Sequence, residues 1–157
     1  MGLYDWLLAL HVLSAFAWVS ALVVYTVVIT SGWGASVPSE VARMFRVAKV
    51  GDALIAIGMI GTIVFGIWLA LDEYEIWDGW IIAALVLWLA AAAVGGRTGK
   101  HYNAVRDRAN ALVAEGRNNP DAELGAALSA QRGIVLHGLS IAITVALLVV
   151  MIYKPGA

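Results

Sequence analysis

The chain has 157 residues, 62% of them hydrophobic and 13% charged, with a net charge of −1 and no cysteine. Soluble domains carry about 45–50% apolar and roughly 25% charged residues, so lipid is the expected solvent. The near-neutral balance argues against nucleic acid as a partner, and the lack of cysteine excludes disulfides, thiolate metal sites and thiol catalysis within the chain.

The opening Met-Gly-Leu-Tyr-Asp-Trp has no basic n-region and leads into an apolar run too long for a signal-peptide core, so a retained first span is expected. A bilayer core of about 30 Å needs about 20 mostly apolar helical residues. The first stretch that qualifies is 6–30, whose only Asp, Glu, Lys, Arg or His is His11. On it His11, Ser14, Trp18, Ala21 and Tyr25 recur at alternating spacings of three and four, which puts them on one face, assigned to the bundle interior.

A helix is then expected to start at Ser36 to Pro38. Its Val41, Met44, Phe45 and Ala48 form a face leading into the second span, 53–71, or lie along the membrane surface. Asp52 sits at the mouth of that span. Within it Gly58, Thr62 and Gly66 recur every fourth residue, a spacing that lets helix backbones approach closely in lipid. The third span, 80–96, continues into a helical run from Lys100 to Glu115 with Val105, Ala109 and Leu112 on one stripe. His101 lies just past the end of this span, where water or headgroups would satisfy it. Gly116-Arg-Asn-Asn-Pro120 reads as a stop and restart, with Asn119 as N-cap, Pro120 at the first helical position, and Asp121 and Glu123 in the first turn. Leu124 and Leu128 supply a matching stripe. The fourth span, 133–153, holds His137, Ser140 and Thr144 on one face and Gly138, Ala142 and Ala146 as a second small-residue seam.

The basic residues set the orientation. The first connection holds Arg43, Arg46 and Lys49, and the last holds Arg97, Lys100, Arg106, Arg108, Arg117 and Arg132. The middle connection has Asp72, Glu73, Glu75 and Asp78 and no basic residue, and the tails add only Lys154. Nine of the ten basic side chains thus lie on one side. The expectation is an all-α polytopic four-helix bundle in the cell inner (plasma) membrane, N-out and C-out. Spans three and four would extend as a cytoplasmic helical hairpin over 97–132. Trp6, Trp77 and Trp80 are expected as interfacial anchors, and Trp88 as packing.

Ionisable or metal-ligating groups inside a bilayer are costly and call for a reason. A neutral imidazole there can ligate haem iron or copper, relay protons, or tie helices together. At about 1.5 Å rise per residue, His11 lies roughly 9 Å below the outer boundary and His137 roughly 24 Å, an offset of about 15 Å. Two axial nitrogens on one iron, each near 2 Å from it, are only about 4 Å apart. Two sites, or one site using one of the two histidines, fit better than a shared iron.

Leu10-His11-Val12-Leu13 followed by Trp18, with Lys154-Pro155-Gly156 closing the last span, resembles a group of small bacterial membrane proteins. The group includes copper-resistance-D-like membrane domains, HemJ-type protoporphyrinogen oxidases and a four-span family of unknown function, which the motifs match best. The resemblance implies a four-helix bundle whose first-span histidine, here His11 with Trp18 as its neighbour, ligates haem or a metal. HemJ-type enzymes also use a basic residue in a later span, whereas spans two and three here have none before Arg97, so the resemblance carries the ligand and not that oxidation. Met44, Met59 and Met151 are scattered singly, unlike the clustered donors that soft copper sites favour.

The leading functional expectation is a redox-linked membrane protein binding haem b or porphyrin. His11 is the candidate axial ligand, and Ser14, Trp18, Tyr25 and His137 are further candidate pocket residues, with His11 and His137 as the candidate metal ligands. The alternative is a cofactor-free membrane subunit or scaffold, meeting a second copy or another membrane protein through the hairpin. A third is a small transporter or metal-handling protein built on Asp52 and His137, for which the chain shows no broken-helix signature.

Overall fold

The computed structural model describes residues 2–155; Gly156 of the closing motif lies outside them. The described residues form five helices and no strand: α1 (Leu3–Ser31), α2 (Pro38–Glu73), α3 (Gly79–Ala114), α4 (Ala122–Leu128) and α5 (Gln131–Tyr153). Four stretches are long and apolar enough to cross a membrane, the fourth being α4 and α5 together. Only 22–33% of the residues in each apolar window are buried within the chain, so most of the oily surface faces outward. Phe16, Ile57, Ile60 and Leu89 belong to that skin. This is a multi-pass membrane protein, because water could not solvate such a surface.

Helix ends follow their local chemistry. At the start of α1 the Gly2 N–H donates to Asp5 Oδ2 at 2.8 Å. Pro38 opens α2 at a position where the missing N–H has no intrahelical acceptor to lose. The chain has three prolines, at 38, 120 and 155, so no proline interrupts α2 or α3, each 36 residues and about 54 Å long. The stretch around Val41 therefore belongs to the same helix as the second span. α3 stops at Gly116, whose φ of 72° suits a residue without a Cβ. There Gly116 N–H donates to Val113 O and Arg117 N–H to Leu112 O, the paired bonds of a Schellman closure.

Two local expectations change. The cap of α4 is Asp121, whose Oδ1 accepts the Leu124 N–H at 2.7 Å, and not Asn119; Pro120 stays outside the helix. A carboxylate at the N-cap faces the positive end of the helix, which favours that register. The small residues of α5 also face the other way: Gly138, Ala142 and Ala146 are exposed, and a Cβ at Gly138 would meet nothing within 4 Å. The buried face of α5 is instead Gly133, His137, Ser140, Thr144 and Leu147.

The small residues of α2 do make a seam. Gly58 lies against the backbone of Trp18 and Ser14, Gly61 against the Ser14 hydroxyl, and Gly66 against the His11 ring. Close approach at this seam gives α1 and α2 the most extensive helix–helix contact in the bundle. α3 packs against α5 and α2, whereas α1 and α5 barely touch. At the end carrying the basic connections the gap is filled. Val41 and Phe45 of α2, Tyr102, Val105, Ala109 and Leu112 of α3, and Leu124 and Leu128 of α4 close on Tyr25, Val28 and Ile29. At the end carrying both termini Ala70, Trp80 and Ile81 form a smaller buried cluster joining α2 and α3, and the four spans border a cavity beside it.

Candidate functional site

The cavity measures about 440 Å³ and lies among α1, α2, α3 and α5. Small-molecule sites typically enclose about 300–1,000 Å³. Its wall is overwhelmingly apolar. Phe16 and Ile152 both line it and are 65% and 72% exposed, so it opens sideways at the slack seam between α1 and α5.

His11 stands in this wall, half-buried. A Cβ at Gly66 would come within 2.9 Å of its Cε1 and 3.1 Å of its Nδ1, so the glycine is what gives the ring its seat. Nδ1 is buried and has no hydrogen-bond partner. Two other buried polar atoms without partners belong to wall residues, the indole N–H groups of Trp80 and Trp88. Buried donors normally find an acceptor, so three orphaned groups among its wall residues single this cavity out as the candidate site. Trp80 is only 6% exposed and is packed into the bundle, unlike Trp6 and Trp77, which are exposed as anchors would be.

At the mouth, Lys154 closes α5. Its Nζ donates to Tyr74 Oη at 2.6 Å and lies 4.5 Å from the Tyr74 ring centre and 5.3 Å from that of Trp80. Tyr74 and Trp80 themselves meet edge to face at 5.2 Å.

The other candidate residues of α1 lie elsewhere. Ser14 is buried against Gly61 and donates to Leu10 O at 2.7 Å, so its hydroxyl is satisfied within its own helix. Trp18 is packed with Ala91 and Leu147 at mid-depth. Tyr25 donates to Asp52, which also faces Arg106 at 3.7 Å, linking α1, α2 and α3. His137 is buried and shares a 2.8 Å hydrogen bond with Thr26 Oγ1, away from the cavity wall. The two span histidines therefore occupy separate surroundings. His101 is not satisfied as expected: its Nε2 is buried without a partner and pressed, with the equally orphaned Tyr102 hydroxyl, against Gly133.

Thr62, Gly66, Tyr74, Trp80, Trp88 and Lys154 escaped selection from sequence as site residues. Thr62 and Gly66 carried a hint through their place in the small-residue seam, and Lys154 through the closing motif.

Among the described residues no three His, Cys, Asp or Glu side chains gather to hold a metal ion. A bare ion at His11 would lack protein donors. A metal already held by a macrocycle needs only one or two, and a single imidazole on an apolar cavity matches that demand. No family model, curated protein or solved structure matches this chain.

Proposed function

We propose that the protein binds haem b, or a closely related porphyrin, in the cavity at its terminal end and serves a redox role, with His11 as the axial ligand. The observation that carries this reading is one imidazole, with an unpartnered buried nitrogen, in the wall of an apolar cavity; among the described residues no three His, Cys, Asp or Glu side chains gather there to hold a bare ion. The likeness of the Leu-His…Trp pattern to haem-handling four-span proteins points the same way.

When bound, the haem would supply one-electron chemistry at its iron. The chain's own part is to seat and shield it. Gly66 fixes the position of the His11 ring. Leu8, Val12, Ile63 and Leu148 keep water from the centre. Trp80 and Trp88 present N–H donors to acceptors on the ligand. Entry is from lipid, through the seam between α1 and α5.

In the same reading the protein lies in the cell inner membrane with both termini outside. The end of α3, its Schellman turn, α4 and the start of α5 then form a hairpin in the cytoplasm, following the Lys and Arg bias. The outward small-residue face of α5 supports a second reading, a subunit that meets another copy or another membrane helix there.

A visible spectrum of the protein in mild detergent, before and after dithionite, tests the haem reading. The expected result is a Soret band that shifts on reduction and is lost in His11→Ala. A colourless, folded preparation from haem-replete cells refutes it and leaves the subunit.

A further inference from the structure

We infer that Lys154 is the charge partner for carboxylates at one edge of the cavity's ligand, so that the site selects a flat apolar molecule with an acidic rim. This deepens the haem reading and rests on it, since haem b carries two propionates on one edge.

The polar groups of the cavity point to an acceptor-rich, anionic guest. Among the described residues the wall contains no carboxylate. Its unpartnered polar hydrogens belong to Trp80 and Trp88, its cation is Lys154, and the Thr62 hydroxyl is already spent on Gly58 O. A lysine cation in an otherwise oily wall complements an anionic oxygen acceptor.

The placement of Lys154 is specific. It is the only Lys or Arg on the terminal side of the chain, amid Asp5, Asp72, Glu75 and Asp78. Yet among the described residues it forms no ion pair with any of them. The Tyr74 hydroxyl and the faces of Tyr74 and Trp80 hold it over the cavity mouth instead. Its backbone is left-handed, φ 41° and ψ 61°, at a helix end where glycine is the usual occupant. Unfavourable backbone geometry at a side chain aimed into a site is the pattern functional positions show.

Depth agrees as well. His11 lies seven residues along α1 from Tyr4 at the mouth, a rise of about 10 Å. A macrocycle liganded at its centre by His11 thus has room to turn its acidic edge toward Lys154, at the aqueous end.

The test compares wild type, Lys154→Gln, Lys154→Arg and His11→Ala, purified in detergent without cofactor. Each is titrated with haem b, with haem b dimethyl ester, whose carboxylates are blocked, and with metal-free protoporphyrin IX, followed by absorbance and tryptophan quenching. Lys154→Gln should weaken haem b and protoporphyrin about tenfold or more, as for loss of a charged hydrogen-bond partner. It should leave the ester unchanged, which also shows that the variant is folded, and Lys154→Arg should restore binding. His11→Ala should abolish the spectral shift of both haem forms and spare the metal-free porphyrin. If Lys154→Gln binds haem b like wild type, or wild type binds ester and acid equally, the carboxylate role is wrong while the His11 reading stands. If wild type binds neither haem b nor protoporphyrin, both fall.

Discussion

Gly58→Ala is the sharpest probe of how α1 and α2 are joined. The added Cβ would lie 2.5 Å from Trp18 N, 2.7 Å from Trp18 Cβ and 2.8 Å from Ser14 O. Heavy atoms in ordinary contact are about 3.5–4.0 Å apart, so the overlap is about 1 Å. Two of the three obstacles are main-chain atoms and the third is a Cβ, so no rotamer change relieves them, and α1 must move off α2. Overpacking costs about 1–3 kcal/mol. A gap of 0.5–1 Å also forfeits about a quarter to a half of each facing dispersion contact. The expected loss is therefore near 3 kcal/mol, the upper end of that range. Gly138→Ala is the internal control: its Cβ meets nothing within 4 Å, and the helix gains at most about 1 kcal/mol of propensity. Reversible unfolding in mixed micelles, followed by circular dichroism and by Trp18 fluorescence, measures both. Should Gly58→Ala fall within about 0.5 kcal/mol of wild type, the usual range for a surface change, the close approach of α1 and α2 is wrong.

Gly133→Ala should behave similarly at the other seam, since its Cβ would sit 2.5 Å from the His101 ring and 2.9 Å from the Tyr102 hydroxyl; unchanged stability would show those rings to be free to move. Tyr25→Phe removes the phenol from Asp52 and should lower stability by about 1–2 kcal/mol. Arg106→Ala, which breaks two partly exposed pairs, with Asp52 and with Asp107, should cost under about 1 kcal/mol, and the reverse order in the same unfolding assay would refute this account of the link. The Leu124 N–H bond, then the charge of Arg108, hold Asp121 below the ordinary carboxylate range. Because its folded value is the lower one, its contribution is complete above about pH 3.9 and disappears as pH falls through the folded value. Hydrogen exchange across α4 should therefore accelerate in that acid window and, in Asp121→Ala, at every pH; an acid-insensitive α4 in wild type contradicts this. In intact cells, maleimide should label Glu73→Cys and spare Asn118→Cys, and the opposite pattern inverts the orientation.

Much of the architecture was legible because lipid imposes simple rules. Charge-free runs of span length mark the helices, and the stripes Val105–Ala109–Leu112 and Leu124–Leu128 follow helical periodicity into the core. What periodicity cannot tell is which of two small-residue faces meets a neighbour. Gly58 and Gly66 do, and Gly138 does not. The candidate residues of α1 share a face, yet one face of a helix passes several neighbours along its length. His11 reaches the cavity, Ser14 the α2 seam, Trp18 the mid-depth packing and Tyr25 a polar link. The cavity itself was not legible. It arises where α1 and α5 make little contact, a property of three-dimensional packing carried by no local run of residues. Trp80 misled for a related reason: a tryptophan at the head of a span suits a headgroup belt and an inward wall equally well.

The absence of any proline between residues 39 and 119 leaves α2 and α3 without a joint. A stiff rod that bears on one support transmits displacement from end to end. Whatever grips α2 near Val41 or α3 near Ala109 at the basic end will tilt the walls bearing Thr62 and Trp88 some tens of ångströms away. The two long helices thus act as lever arms from the packed basic end to the cavity walls.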